Sequence, residues 1–418
     1  MRRTAPLLSA LLVAAALMAL LPGASLAETG SPPPIIVEDP SFAAPAAPAK
    51  GPSPAVQQAV AVSPVTVMLE LEEPPADAAQ RLEQIALSQS ELVQRLEALG
   101  VPVLFQARAA YTGVAVAAAV DQLPLLSGLP GVAGVHIIPP KARGSTSVAT
   151  ANGAASLWSQ SRPQALGHGV RIGIIDSGID YTHATFGGQG TNEAYAANDP
   201  TVVEPGSFPT AKVVAGYDFV GDGYDAAGIA GSPIPAPDGD PLDCAATGHG
   251  THAASIAAGY GVDEQGATFR GPYSAGVSFE QFLVQPGVAP EASLVALKIF
   301  GCQGETTTFL TAAIDYALDP NRDGNTDDRL VDVLNISLGS PFGGSDDPDA
   351  VAVERAVQAG VVVVVSAGDS GDVFYSLASP ASAPLAIAVG ASVDEAGASD
   401  TAQAGTLWSG SARGPQQS

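Results

Sequence analysis

The stretch Arg171-Ile172-Gly173-Ile174-Ile175-Asp176-Ser177-Gly178-Ile179-Asp180 is a short β-branched run that ends abruptly in acidic and small residues. Similar runs recur on either side of it, at Val170 to Ile175, Val213 to Val220, Ser293 to Ile299, Val331 to Ile336, Val361 to Val365 and Leu385 to Val389. Between them, Thr251 to Ala258, Thr308 to Leu318 and Pro348 to Ala359 carry helical spacing or helix-forming residues. Strands alternating with helices predict an α/β domain from about residue 145 to 418, built as a mostly parallel sheet with helices on both faces. Ligands in such sheets bind beyond the carboxyl ends of the strands, and Asp176 stands at one of those ends.

An Asp there is either a turn former or a site residue. A second segment, Thr247-Gly248-His249-Gly250-Thr251-His252-Ala253-Ala254, sets a Gly-flanked His at the head of a small-residue helix. Two nearby histidines could suggest a metal, but His249 and His252 lack the i, i+4 spacing and intervening Glu of the common zinc-protease helix. Two more segments follow in order: Val333-Leu334-Asn335-Ile336-Ser337-Leu338-Gly339 and Ser366-Ala367-Gly368-Asp369-Ser370-Gly371.

These four segments, in this order, resemble the subtilisin-like serine peptidases, and the likeness runs from about residue 145 to the C-terminus. The resemblance implies an Asp-His-Ser triad that cleaves peptide bonds. Asp176 would orient the imidazole, and His249 would act as general base. Ser337, Leu338 and Gly339 would pair with an extended substrate and line its pocket, a form of β-augmentation. His252 is expected to pack structurally; His136, His168 and His183 lie outside the matching segments and are read as structural or exposed.

Two departures stand out. Asp369 occupies the place where the family has an Asn donor to the oxyanion, a loss worth roughly 10²–10³ in kcat in subtilisin itself. No Gly-Thr-Ser-Met-Ala-like nucleophile motif occurs; Gly144-Ser145-Thr146-Ser147 precedes the Asp segment, and Ser409-Gly410-Ser411-Ala412-Arg413-Gly414-Pro415 resembles what lies upstream of the serine. The expectation is a domain truncated before its nucleophile, with apolar surface left exposed where the serine helix would pack. The alternatives are a catalytically inactive peptide-binding pseudoprotease and a propeptide-type inhibitor of a related protease.

Residues 64–140 read as a separate small α+β domain. Val65 to Leu71 suggests a strand, and a helix capped by Asp77 carries Leu82, Ile85, Leu92, Leu96 and Leu99 at three- and four-residue steps to Gly100. Strands at Val101 to Phe105, Gly113 to Val120 and Val132 to Ile138, with a short helix near Leu123 to Leu126, give the ferredoxin-like β-α-β-β-α-β order. Its position resembles the family's inhibitory propeptide, which makes the chain a zymogen. Residues 28–63, rich in Pro, Ala and Ser, form an extended linker. Arg2 and Arg3, the apolar run Leu7 to Leu21 and Ser25-Leu26-Ala27 describe a secretory signal peptide over residues 1–27; the apolar run is short for a membrane span.

Composition fits an exported globular protein. The 418 residues are 46% hydrophobic and 14% charged, and the net charge of −25 excludes a nucleic-acid partner, since phosphates need a basic surface. The expected partners are protein or peptide substrates and the chain's own propeptide, with no membrane after signal removal. Cys244 and Cys302 are the only cysteines, and an oxidising compartment favours a bridge between them over two free thiols. No cofactor is required for the chemistry. Asp319, Asn321, Asp323, Asn325 and Asp327 offer oxygens at EF-hand-like positions around Gly324, but Leu330 stands where the closing Glu belongs. That segment is either a calcium loop or a polar turn between a helix and a strand.

Overall fold

The computed structural model describes residues 64–74, 78–143, 153–160, 165–274, 276–393 and 405–416. The signal and linker segments, Asp77 and the Gly144 to Ser147 look-alike lie outside these described residues.

Along β1 (Val65–Leu71), Val67, Leu69 and Leu71 point to one face of a sheet and Met68 to the other, as the two-residue period of a strand requires. Leu92 and Leu96 of α1 (Ala78–Leu99) cover the first face. β2 (Val103–Ala107), β3 (Gly113–Ala118), α2 (Leu123–Ser127) and β4 (Val132–Ile137) follow. The strand order is β2-β3-β1-β4, with every neighbouring pair antiparallel. β2 starts two residues later than the apolar pattern suggests, because Pro102 has no N–H for a ladder. β3 ends before Val120, where the Gln122 side chain caps the Ala119 N–H of a short 3₁₀ turn.

The larger unit contains β5 (Lys141–Arg143), α3 (Ala154–Gln160), β6 (Arg171–Asp176), α4 (Asn192–Ala196), β7 (Val213–Asp218), α5 (His249–Ala258) and β8 (Ser293–Lys298). It continues through β9 (Thr306–Thr307), α6 (Leu310–Leu318), β10 (Val333–Ile336), β11 (Leu338–Gly339), α7 (Pro348–Gln358), β12 (Val362–Ser366) and β13 (Ile387–Val389). Six strands form one parallel sheet in the order β13-β12-β10-β6-β8-β7. The strand interiors are apolar on both sides, and each side has its own cover. Ile172, Ile174, Leu294 and Ala296 pack with Ala253, Ala254 and Ala258 of α5. Ile175, Val295, Leu297, Leu334 and Ile336 pack with Leu310, Ala313 and Ile314 of α6 and Val353 of α7. The α/β architecture is the one the alternating pattern predicts.

The same core takes in Met68, Phe105 and Ala115 from the free face of the small sheet, and Tyr111 from the connection between β2 and β3. Helices α6 and α7 therefore lie between two sheets. All nine residues of α6 are buried, the polar Thr311 and Asp315 among them, because more than one face of the helix is covered. The rings of Phe105 and Phe309 meet across the junction with centroids 5.1 Å apart. At the opposite edge, Ile387 and Val389 of β13 are about half exposed (52% and 49%), as are Leu385 and Leu407.

Candidate active site

Asp176 is the last residue of β6 and is fully buried. Its Oδ1 accepts the Ser177 N–H at 2.7 Å and lies 2.7 Å from Nδ1 of His249. A carboxylate only accepts, so Nδ1–H donates and the imidazole lone pair is placed on Nε2. That is the tautomer a general base needs.

Glycine makes the approach of α5 to β6 possible. A β-carbon on Gly250 would meet the Gly178 carbonyl oxygen at 2.2 Å. Gly248, the residue before the helix, adopts the left-handed conformation with φ 56°. The helix starts at His249, two residues earlier than its small-residue run suggests, and this puts the imidazole in the first turn. Three side chains then hold that turn. Ser177 Oγ accepts the Gly250 N–H at 2.9 Å, and Thr251 Oγ1 accepts the Asp180 N–H at 2.9 Å. Asp243 Oδ2 accepts both the N–H and the hydroxyl of Thr251, at 2.9 and 2.6 Å. Burial pushes the Asp243 carboxyl up to about 6. Next to it, Cys244 is joined in a disulfide to Cys302, with Cα atoms 5.3 Å apart. The bridge links the segment before α5 to the segment after β8.

Ser337, Leu338 and Gly339 follow the carboxyl end of β10, and Asp369 follows that of β12. Since β6, β10 and β12 are neighbours, the Asp176, Ser337 and Asp369 positions share one end of the sheet. Asn335 donates to Ser337 Oγ at 2.9 Å. Asp369 is exposed. His252 is exposed too. His136 is paired with Glu70 at 2.8 Å, and His183 accepts the Thr185 N–H.

A three-residue strand occupies the edge at Leu338 and Gly339. β5 pairs antiparallel with β11, setting Arg143 opposite Leu338 and Ala142 opposite Gly339. On its other side β5 pairs antiparallel with β9, setting Lys141 opposite Thr307 and Ala142 opposite Thr306. The tail of the small domain thus lies between two strands of the large one. Sequence reading missed both Lys141 to Arg143 and the second wall; the β-branched run Thr306-Thr307-Thr308 is the one available signal. It also missed Asp315. That buried carboxylate accepts three successive N–H groups of the small domain through Oδ1: Arg108 at 2.9, Ala109 at 2.6 and Ala110 at 2.8 Å. Successive backbone N–H groups of this kind form an anion nest.

The segment from Asp319 forms a turn that satisfies much of itself. Asn321, Asp323 and Asn325 side chains accept the N–H groups of Asp323, Asn325 and Asp327, and Asp319 Oδ2 accepts that of Gly324. Asp319 Oδ1 and Asp328 Oδ1 are buried without partners. Burial, with Asp315, Asp323 and Asp328 nearby, pushes Asp319 up to about 6. Among the described residues the one set of three ligand-type side chains that converges is Asp222, Cys244 and Cys302. Its sulfurs are bonded to each other and its carboxylate is paired with Lys298.

Residues 167–417 match the model of the Subtilase family of S8 peptidases. The chain is similar to the minor extracellular protease Vpr of Bacillus subtilis, 31% identical over 54% of this chain and 21% of that protein. It is similar also to the serine protease AprX of Bacillus subtilis, 35% identical over 40% of this chain and 34% of that one. The chain thus spans about a fifth to a third of the length of these relatives. A crystal structure of the epidermin leader peptide processing serine protease of Staphylococcus aureus aligns with a TM-score of 0.45 at 14% identity, covering 79% of this chain and 69% of that one. The strand order, not that alignment, carries the fold assignment.

Proposed function

The chain belongs to the subtilase family, and from that premise we propose that it is the precursor of an exported serine-type endopeptidase, held inhibited by its own N-terminal domain. The observation that carries this reading is the seating of Lys141 to Arg143 between β9 and β11, along the edge where an extended substrate would pair. Backbone bonds to both neighbours hold a peptide in extended form next to Leu338 and Gly339, which follow the strand neighbouring the one that ends in Asp176. In the proposed reaction His249 Nε2 takes the proton of a serine hydroxyl as that oxygen attacks the scissile carbonyl. Asp176 holds the imidazole and stabilises its protonated form, and the proton then passes to the leaving amine. The serine is the part that no motif in the 418 residues supplies.

Residues 1–27 support export, and no helix among the described residues is long and apolar enough to cross a membrane. The buried, partnerless oxygens of Asp319 and Asp328 support a structural calcium in the loop through Asn321, Asp323, Asn325 and Asp327. A calcium there should raise the thermal midpoint relative to EDTA, and Asp319→Asn should abolish that difference.

A fluorophosphonate probe with peptide mapping, applied to the protein isolated from its source, tests the peptidase reading. The 418-residue chain by itself should show no specific labelling; in the protein from its source, labelling of one serine that is lost in His249→Ala is expected. Peptide binding with no labelled serine overturns the reading in favour of a peptide-binding protein.

A further inference from the structure

Lys141 is wholly buried, which is rare for a lysine that belongs to a three-residue strand at the end of a domain. Its Nζ lies 2.6 Å from Asp349 Oδ2 and 3.5 Å from Asp347 Oδ1. Asp349 is itself wholly buried and Asp347 nearly so. Neither carboxylate depends on the lysine for its orientation. Asp349 Oδ1 accepts the N–H of Thr311 at 3.1 Å and its hydroxyl at 2.6 Å, so α6 holds it. Asp347 caps α7 by accepting the Asp349 N–H at 2.9 Å. The well is therefore made by the large domain, and the ammonium is its guest.

We propose that Asp347 and Asp349 form a specificity subsite that selects lysine in the peptide position Lys141 now fills, two residues before the one opposite Leu338. The inference rests on the reading of β9 and β11 as the substrate-holding strands. Its logic is the cost of leaving buried carboxylates unpaired. A neutral side chain in that position would strip the counter-charge from two oriented, desolvated groups, whereas an acidic one would add a third negative charge. A flexible amine meets the two carboxylates as a compact point charge, whereas arginine presents a planar fork that the geometry around Nζ does not match atom for atom. Lysine should thus be preferred, arginine partly accepted, and aliphatic or acidic residues refused.

Binding, not cleavage, is the primary test, because it stands apart from the peptidase reading. The full chain carrying Lys141→Ala is titrated with a fluorescent Pro-Pro-Lys-Ala-Arg peptide and with its norleucine and glutamate counterparts at the lysine position. The lysine peptide should bind at least about tenfold more tightly than the norleucine one, the scale set by unpairing a buried charge. That ratio should fall toward one when Asp349→Asn is added. Because Asp349 also holds Thr311, Asp347→Asn serves as the second variant and should lower the ratio in part. Equal affinities, binding of neither peptide, or a ratio that survives both substitutions overturns the proposal. Cleavage profiling of the protein from its source separates the two readings. Lysine-selective binding with no cleavage leaves the subsite standing and removes the peptidase; cleavage indifferent to lysine does the reverse.

Discussion

A β-carbon on Gly250 would stand 2.2 Å from the Gly178 carbonyl oxygen and 3.1 Å from Cβ of Asp176. Neither neighbour can yield, since one is backbone and the other belongs to the buried Asp176. Gly250→Ala should therefore push α5 off β6 and lengthen the His249–Asp176 contact, at a cost of roughly 1–3 kcal/mol from overpacking. Gly248→Ala is the control. It has open space around it but a φ of 56°, so it should cost about 1–2 kcal/mol through backbone conformation alone. Thermal unfolding measures both costs, and the low-field Nδ1 proton of His249 should vanish only in Gly250→Ala. Asp369 belongs to the same scale. An ionised carboxylate offers no donor to an oxyanion, so in a form of the protein that carries the nucleophile Asp369→Asn should raise kcat by roughly 10²–10³ near neutral pH. Hydrolysis of a chromogenic peptide across pH reads this directly; a profile matching the parent at every pH removes the idea.

Helix α6 is the element on which the two domains depend. It gives one face to the parallel sheet and another to the small sheet, and Asp315 projects from it into the Arg108 to Ala110 nest. Asp315→Ala would leave three N–H groups without an acceptor, each worth roughly 1–3 kcal/mol if it stays buried. Amide exchange at residues 108–110 should rise by about 100-fold or more, while Asp315→Asn, which keeps an oxygen, should fall between. Unchanged exchange in the Ala variant would show that the apolar contacts alone hold the domain. Such elements explain what could be read in advance. Asp176 and His249 were legible because each lies in a short segment whose local pattern, strand end or helix start, is set by near neighbours. The ferredoxin-like order was legible from periodicity for the same reason. Asp315, Thr306 and Lys141 were not, because their partners are far away in sequence: Arg108 is 207 residues from Asp315. The β5 strand in particular has no pattern of its own. Its three residues are extended because two other strands make them so.

The whole molecule carries a net charge of −25 and also hides several carboxyls, and the two facts combine in its response to pH. Burial raises Asp238, beside Asp218, to about 7. It raises Asp240 and Asp243 to about 6, as it does Asp319. Each of these groups holds its proton more tightly in the folded chain than in the unfolded one, whose carboxyls titrate near 4. Their favourable contribution is complete below about pH 4 and is lost as pH rises through 6 to 7. For Asp243, which is almost wholly buried, the shift from 3.8 to about 6 corresponds to about 3 kcal/mol. Lys212 acts in the opposite sense. Burial, with Arg270 nearby, lowers its ammonium to about 7, and its Nζ lies within hydrogen-bonding distance of the Pro290 and Ala292 carbonyl oxygens. An unfolded lysine keeps its proton to about 10.4, so the folded state gains relative stability as pH rises above 7. The thermal midpoint should therefore fall between about pH 4.5 and 7 and recover between 7 and 9. Asp243→Asn should flatten the acid limb, and Lys212→Met the alkaline one. A midpoint that climbs steadily from pH 4.5 to 7 would mean that these carboxyls ionise freely in the folded chain, and that Asp243 holds the first turn of α5 as an ordinary solvated carboxylate.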